Sequence, residues 1–163
     1  MTHAAEPNAT GRIDVRASPE RVYELISDPG ALAEFASEYS GFRWLDGSSK
    51  AEVGARFKGN NKAGWRRWST VSTITDAEPG KRFGFQVTVE VGPISVTGAR
   101  WQYDIEPTDE GCAVTESSWD RRAGWAKAIG DGATGVRDRA EHNRHNIAAT
   151  LRKLKERAEA ATV

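Results

Sequence analysis

The chain is poor in cysteine, with Cys112 alone among 163 residues. One thiol cannot form an internal disulfide, and the sequence has no Cys-rich spacing typical of a structural metal site. No uninterrupted apolar run approaches the roughly 18 residues of a membrane span. The N-terminus, MTHAAEPNAT, has neither the basic start nor the apolar core of a secretory signal. We therefore expect a soluble cytoplasmic protein that binds no metal and makes no stable membrane insertion.

The chain also lacks an excess of charge of either sign, because 23 Lys and Arg balance 23 Asp and Glu. Nucleic-acid binders usually carry a basic excess, so we expect no nucleic-acid partner. The pair Arg66-Arg67 between two tryptophans is typical of a solvated strand face. Walker, dinucleotide-binding and GxSxG motifs are missing as well. We therefore expect no cofactor and no nucleophilic hydrolysis.

A length of 163 residues without internal repeats predicts one domain. The small and polar residues 1–10 predict a disordered tail, and residues 11–160 form the predicted domain. The 38% of hydrophobic residues in the full chain is enough for a sizeable core. We therefore expect a globular fold that needs no covalent or metal crosslink.

The pattern predicts a strand followed by two short helices. RIDVRA, residues 12–17, alternates apolar and polar residues with the period of a half-buried strand. Ser18-Pro19 and Asp28-Pro29 are successive helix start signals, each a capping residue followed by proline. Tyr39 falls at helical spacing after the second of them, so the second helix is predicted to reach it.

Six further segments are rich in β-branched and aromatic residues and predict an antiparallel meander. Alternation is clearest over residues 83–91, and Gly98 is predicted to be a bulge or a bend. A helix of about 25 residues, 136–160, then carries one apolar stripe. The six segments are residues 42–45, 53–59, 65–75, 81–91, 94–105 and 112–119.

This order of elements resembles the START-like (SRPBCC, helix-grip) superfamily, in particular bacterial polyketide cyclase/dehydrase-like proteins. The segments that carry the resemblance are RIDVRASPERVYELISDP, TITDAEPGKRFGF, WQYDIEP, VTESSW and DRAEHNRHNIAATLRKLKERAE. It implies an α+β helix-grip fold, in which a curved antiparallel sheet wraps around a long C-terminal helix. It also implies a ligand cavity between sheet and helix, for which we expect about 300–1,000 Å³.

The candidate site residues are those expected to face this cavity. Glu116 shares strand parity with Val114, which predicts an inward-facing carboxyl. The alternative is a carboxylate at the strand end, either in water or paired with Arg100. Trp65 and Trp68 must face opposite sides of their strand, and the sequence leaves open which one faces inward. The predicted ligand-binding set is Trp68, Phe83, Phe85, Trp101, Tyr103, Glu116, Trp125, Asn143 and Ile147.

Three further features concern the predicted site. His142 and His145 have a spacing that metal ligands use, but helical phase puts both opposite the apolar stripe, so no metal site is predicted. Asn143 falls on the inner face of the same helix. It is predicted either to hydrogen-bond a ligand or to cap a neighbouring carbonyl. Residues 122–135 contain four glycines and Trp125, which predicts a lid over the cavity, with a static crossover as the alternative.

We expect the protein to bind a hydrophobic small molecule, such as a lipid, polyketide or aromatic metabolite, without catalysis. The alternative is a cyclase or dehydratase that uses the same cavity, with Glu116, Tyr103 or Asn143 as the proton relay. A third interpretation is a regulatory or interaction protein whose cavity is collapsed. Ligand identity, physiological role and oligomeric state are not predicted.

Overall fold

The computed structural model describes residues 5–35, 39–91, 93–121 and 139–160. Seven antiparallel strands form one sheet in the order β1-β7-β6-β5-β4-β3-β2, so β2 to β7 are a meander and β1 is added at its far edge. This is the predicted helix-grip fold. The elements are β1 (Ala9–Val15), α1 (Pro19–Ile26), α2 (Pro29–Phe35), β2 (Tyr39–Trp44), β3 (Arg56–Ala63), β4 (Arg66–Glu78), β5 (Arg82–Val91), β6 (Ile94–Thr108), β7 (Gly111–Asp120) and α3 (Arg139–Glu159).

The N-terminal segment is ordered further back than the sequence predicts. β1 begins at Ala9, and the Asn8 amide donates to the Ser118 carbonyl over 2.8 Å. The Trp119 indole Nε1 donates to the Ala5 carbonyl over 2.6 Å. The tail predicted for residues 1–10 is therefore wrong over residues 5–10, because the exposed edge of β7 offers backbone partners that local composition does not reveal.

Both predicted helix caps are present. Ser18 Oγ accepts from the Arg21 amide over 3.1 Å, and Asp28 Oδ1 accepts from the Gly30 amide over 2.9 Å. The predicted extension of the second helix to Tyr39 is wrong, because Tyr39 begins β2 and pairs with Asn61 of β3. Strand pairing there overrides a local helical pattern.

Pairing across the sheet defines one concave face. Phe83 pairs with Tyr103, and Phe85 pairs with Trp101, so their side chains lie on the same side. The ladder skips Gly98, which confirms the predicted bulge. Phe83 is fully buried and its ring meets Tyr23 of α1 edge-on at 6.3 Å. The concave face is therefore the side against which the helices pack.

Helix α3 lies along β1. Ile147 and Leu151 are almost fully buried, and a Cβ atom added at Gly11 would lie 2.6 Å from Ile147 Cγ2. The helix runs parallel to the strand, since Lys155 Nζ donates to the Asp14 carbonyl over 2.8 Å further along both elements. Gly11 therefore permits the close approach of helix to sheet.

Gly11→Ala is expected to lower the free energy of unfolding by about 1–3 kcal/mol, because a methyl group there overpacks the helix–strand contact. Ile147 is β-branched and cannot swing its Cγ2 away freely. Gly41→Ala is the matched control, since a Cβ at this strand glycine comes no closer than 3.8 Å to Asn60. Urea denaturation of both variants checks the prediction. Equal stability of the two would contradict it.

Candidate functional site

The concave face is lined by aromatic rings in mutual contact. Phe57 and Phe85 have ring centroids 5.9 Å apart, and Phe57 and Trp44 have centroids 5.8 Å apart. Phe57 is buried, whereas Trp44, Phe85 and Trp101 are only partly buried although they point inward. Apolar surface therefore remains accessible on the concave face.

The two tryptophans of the β3–β4 hairpin, Trp65 and Trp68, differ in burial. Trp65 is 82% exposed, with the Arg66 guanidinium 4.8 Å from its ring centroid. Trp68 is partly buried and shares parity with Thr70 and Ser72, which pair with concave-face residues of β5. Trp68 is therefore the inward-facing tryptophan.

Glu116 and Tyr103 form a buried pair on this face. They are direct partners across β6 and β7, and each is 3% exposed. The Tyr103 hydroxyl donates to Glu116 Oε1 over 2.9 Å. The alternative prediction, an ion pair between Glu116 and Arg100, is wrong. Arg100 lies on the opposite face of the sheet, and its Nη2 lies 2.8 Å from Asp76 Oδ2.

Burial changes the acid–base chemistry of both groups. Loss of water contact raises the pKa of Glu116 to about 8. The hydrogen bond from Tyr103 lowers the same pKa, but by less than burial raises it. The pKa of Tyr103 is raised well above its ordinary value by burial and by the adjacent carboxyl. At neutral pH the pair is therefore predominantly uncharged, which suits an apolar surrounding.

Two buried polar atoms in this region have no hydrogen-bond partner within the described part of the chain: Oε2 of Glu116 itself, and Oγ of the neighbouring Ser118. Ser118 is fully buried, shares strand parity with Glu116 and pairs with Trp101. Sequence reasoning missed Ser118, although its parity with Glu116 was visible. Buried polar atoms usually find partners, so these two are exceptions among the polar atoms of the described residues.

The inner face of α3 covers this end of the sheet. Ile147 lies against Gly11, which pairs with Glu116 across β1 and β7. Asn143 lies one turn earlier on the helix and is 5% exposed. Because the helix runs parallel to β1, Asn143 lies toward the end of the strand where Ser118 is paired. The structure thus brings Tyr103, Glu116, Asn143 and Ile147 to one region.

Tyr103→Phe is expected to lower the free energy of unfolding by about 1–3 kcal/mol, because it leaves both oxygens of a buried carboxyl without a donor. The same change removes the hydrogen bond that lowers the Glu116 pKa, so that pKa should rise further. Chemical denaturation measures the first effect, and carboxyl ¹³C NMR of Glu116 across a pH titration measures the second. An unchanged Glu116 titration would contradict the assigned interaction.

The remaining candidates lie elsewhere. The side chain of His145 is 78% exposed, 3.8 Å from Glu141, which agrees with the predicted outer face. Within the described ranges no group of three or more His, Cys, Asp or Glu residues is placed to hold a metal ion. The predicted lid, residues 122–135, lies outside the described residues, and Trp125 lies within it. Over the same described part, no helix is long and apolar enough to span a membrane.

An open surface groove of about 320 Å³ lies between α2 and α3, away from the concave face. Its lining is mainly charged, which distinguishes it from the predicted apolar cavity. That cavity between sheet and helix stays a prediction. The groove residues are Glu34, Lys153, Glu156, Arg157 and Ala160.

The sequence profile of the family described as polyketide cyclase / dehydrase and lipid transport matches residues 6–159. The chain therefore belongs to this family. No curated protein matches the sequence.

Solved structures support the fold. Protein CV1439 from Chromobacterium violaceum superposes with a TM-score of 0.69 at 18% identity, over 93% of this chain and 96% of that chain. The di-domain ARO/CYC StfQ from the steffimycin biosynthetic pathway gives 0.68 at 17% identity, over 92% of this chain and 50% of that one. The Aha1 dimer from Colwellia psychrerythraea gives a TM-score of 0.62 at 18% identity, over 95% of this chain and 98% of that chain. At these identities the similarity establishes the helix-grip fold alone.

Proposed function

We propose that the protein binds a hydrophobic small molecule against the concave face of its sheet. The observation that carries this proposal is the set of inward-facing aromatic side chains that remain only partly buried, among them Trp44, Phe85 and Trp101. Large apolar side chains normally fill a core completely when no ligand is needed. Ligand sites, in contrast, are concave and mostly apolar with a few polar groups. The family description supports the same function, and the fold is shared with the di-domain ARO/CYC StfQ.

Trp68→Ala is expected to weaken binding of the neutral dye N-phenyl-1-naphthylamine about tenfold, because loss of an aromatic wall costs on the order of 1–2 kcal/mol. Trp65→Ala is the matched control, since Trp65 belongs to the same hairpin but is 82% exposed. Dye fluorescence titrations of wild type and both variants test the proposal. Absence of dye binding to the wild type, or equal weakening by both substitutions, would contradict it.

A second function, a dehydratase or cyclase in the same cavity, is favoured by one observation: a titratable carboxyl with a pKa near 8 lies on the ligand-facing side. In a dehydration, ionised Glu116 would take the proton beside a carbonyl as the new C=C bond forms. It would return that proton to the departing hydroxyl, which leaves as water. Substrate would thus lose one water molecule, and Glu116 would end unchanged.

The synthetic β-hydroxyketone 4-hydroxy-4-(2-naphthyl)-2-butanone tests this second function, since loss of water gives a conjugated enone with strong ultraviolet absorbance. Enzymatic activity predicts enone formation whose rate rises with pH up to about 8 and is lost in Glu116→Gln. If wild type and Glu116→Gln produce enone at the same rate as buffer while still binding the dye, the protein is a binder.

A further inference from the structure

The β3–β4 hairpin carries positive charge without negative charge. Residues 53–75 include five of the 23 Lys and Arg residues and none of the 23 Asp and Glu residues, in a chain whose net charge is zero. Arg56 is paired with Asp46 over 3.0 Å. The other four cations form no ion pair with a described residue: Lys58, Lys62, Arg66 and Arg67.

Two of these cations lie directly opposite another cation across the sheet. Lys58 pairs with Arg43 of β2, and Lys62 pairs with Arg67 of β4. Side chains at such positions have Cβ atoms about 5 Å apart, and like charges there destabilise a sheet. The acidic residue of β5, Glu90, aligns two positions behind Arg67 in the register. An anionic partner at the hairpin would therefore offset a repulsion that the free protein retains.

The tip of this hairpin, residues 62–67, extends beyond both neighbouring strands. On one side β2 begins opposite Asn61. On the other side β5 ends at Val91, which the register of β4 and β5 aligns with Trp68. Trp65 in the turn therefore projects up to about 10 Å past the end of β5, at about 3.3 Å per residue. A flat surface can reach the tip without meeting the rest of the sheet.

The end of the tip carries an exposed indole beside these charges. Gly64, with a φ angle of 61°, is the first residue of a two-residue turn, and Trp65 is the second. Trp65 is 82% exposed, and the Arg66 guanidinium lies 4.8 Å from its ring centroid. Lys62 and Arg67 are exposed just behind it. The tip thus presents one large apolar ring together with three cations.

The size and chemistry of the tip favour a lipid surface as its partner. A stable protein interface buries about 1,600 Å² in total, far more than this tip presents. Tryptophan is enriched at membrane–water interfaces, and basic residues beside it are attracted to anionic headgroups. We propose that residues 62–67 dock reversibly on an anionic phospholipid bilayer, with Trp65 at the level of the headgroups. This contact is separate from the ligand site and does not rest on the proposed function.

Co-sedimentation with vesicles of two compositions tests the proposal: pure phosphatidylcholine, and equal parts of phosphatidylcholine and phosphatidylglycerol. Wild type should bind the anionic vesicles at least about tenfold more tightly, since each basic residue near an anionic surface contributes about fivefold in affinity. Raising the salt concentration to about 0.5 M should remove most of this preference, because salt screens exposed charges.

Two variants locate the contact. Lys62→Glu/Arg67→Glu keeps a like-charge pair across the hairpin but reverses its sign, and it should weaken binding to anionic vesicles at least about 25-fold. Trp65→Ala should weaken it about tenfold, through lost apolar contact. Far-ultraviolet circular dichroism establishes that each variant is folded.

The matched control reverses two exposed cations elsewhere, Arg152→Glu/Lys153→Glu. It changes the net charge by the same amount, but it lies on α3, which packs along β1 at the opposite edge of the sheet. Charges that far from the tip are screened from a bilayer docked there, so affinity should stay within about twofold of the wild type.

Four results would overturn the proposal. Three of them are equal binding of wild type to both vesicle types, no binding to the anionic vesicles, and equal losses in the tip and helix charge reversals. Oligothymidylate and polyglutamate provide the fourth comparison, at equal concentration of negative charge. Tighter binding of either polymer than of the anionic vesicles would assign the tip to a nucleic acid or to an acidic protein instead of a bilayer.

Discussion

Glu116→Gln becomes more stable relative to the wild type, by about 3–4 kcal/mol, as the pH rises from 5 to 8. The Glu116 pKa is about 8 in the folded chain and near its ordinary value of 4.5 in the unfolded chain. Because the folded pKa is the higher one, the carboxyl's contribution to stability is fully present below pH 4.5. It is lost progressively as the pH rises to about 8, and glutamine does not titrate.

Urea denaturation of ligand-free wild type and Glu116→Gln at pH 5, 6.5 and 8 measures this difference directly. Glu110→Gln, which changes an exposed carboxyl in the β6–β7 turn, is the matched control. Its stability should stay within about 0.5 kcal/mol of the wild type at every pH. A pH-independent difference between wild type and Glu116→Gln would contradict a buried, neutral carboxyl.

Gly111→Ala should cost at least about 3 kcal/mol of folding free energy, through a backbone clash together with strain. Gly111 has a φ angle of 154°, and a Cβ there would lie 2.3 Å from the Val15 carbonyl oxygen. It would also lie 2.8 Å from the amide nitrogen of Ala17. These are backbone atoms, so no side-chain rotation relieves the contact. The turn before β7 would have to move away from the end of β1.

Gly54→Ala separates strain from clash. Gly54 also has a positive φ, 90°, but nothing lies within 4 Å of a Cβ added there. It should therefore show the cost of the backbone conformation alone, about 1–3 kcal/mol. Thermal and urea unfolding of both variants give the comparison. Equal losses would mean that the contact of Gly111 with β1 does not limit stability.

The fold was largely predictable because its signals are local. Alternation along β5, the caps at Ser18 and Asp28 and the apolar stripe of α3 each depend on neighbouring residues. The bulge at Gly98 was also predictable, since the apolar alternation changes phase there. The ordered residues 5–8 were not, because their partners lie on β7, more than a hundred positions away.

The site was predictable in part. Strand parity alone put Glu116 on the inner face, but its partner depends on the register of β6 against β7, which sets Tyr103 opposite. Parity left Trp65 and Trp68 undecided, because the pattern near the turn suits either face. Ser118 was missed because a serine among apolar residues carries no chemical signal until its hydroxyl is seen buried and unpartnered.

Binding against the concave face is tested most directly by the tryptophan indole N–H signals in a ¹H–¹⁵N NMR spectrum. Trp68 and Trp101 lie on the concave face, whereas Trp65 is exposed and Trp119 bonds the Ala5 carbonyl on the opposite side. Single-tryptophan substitutions assign the signals. On saturation with N-phenyl-1-naphthylamine, the signals of Trp68 and Trp101 should move while those of Trp65 and Trp119 stay in place. Shifts confined to Trp65 or Trp119, or no shift at all, would contradict the account.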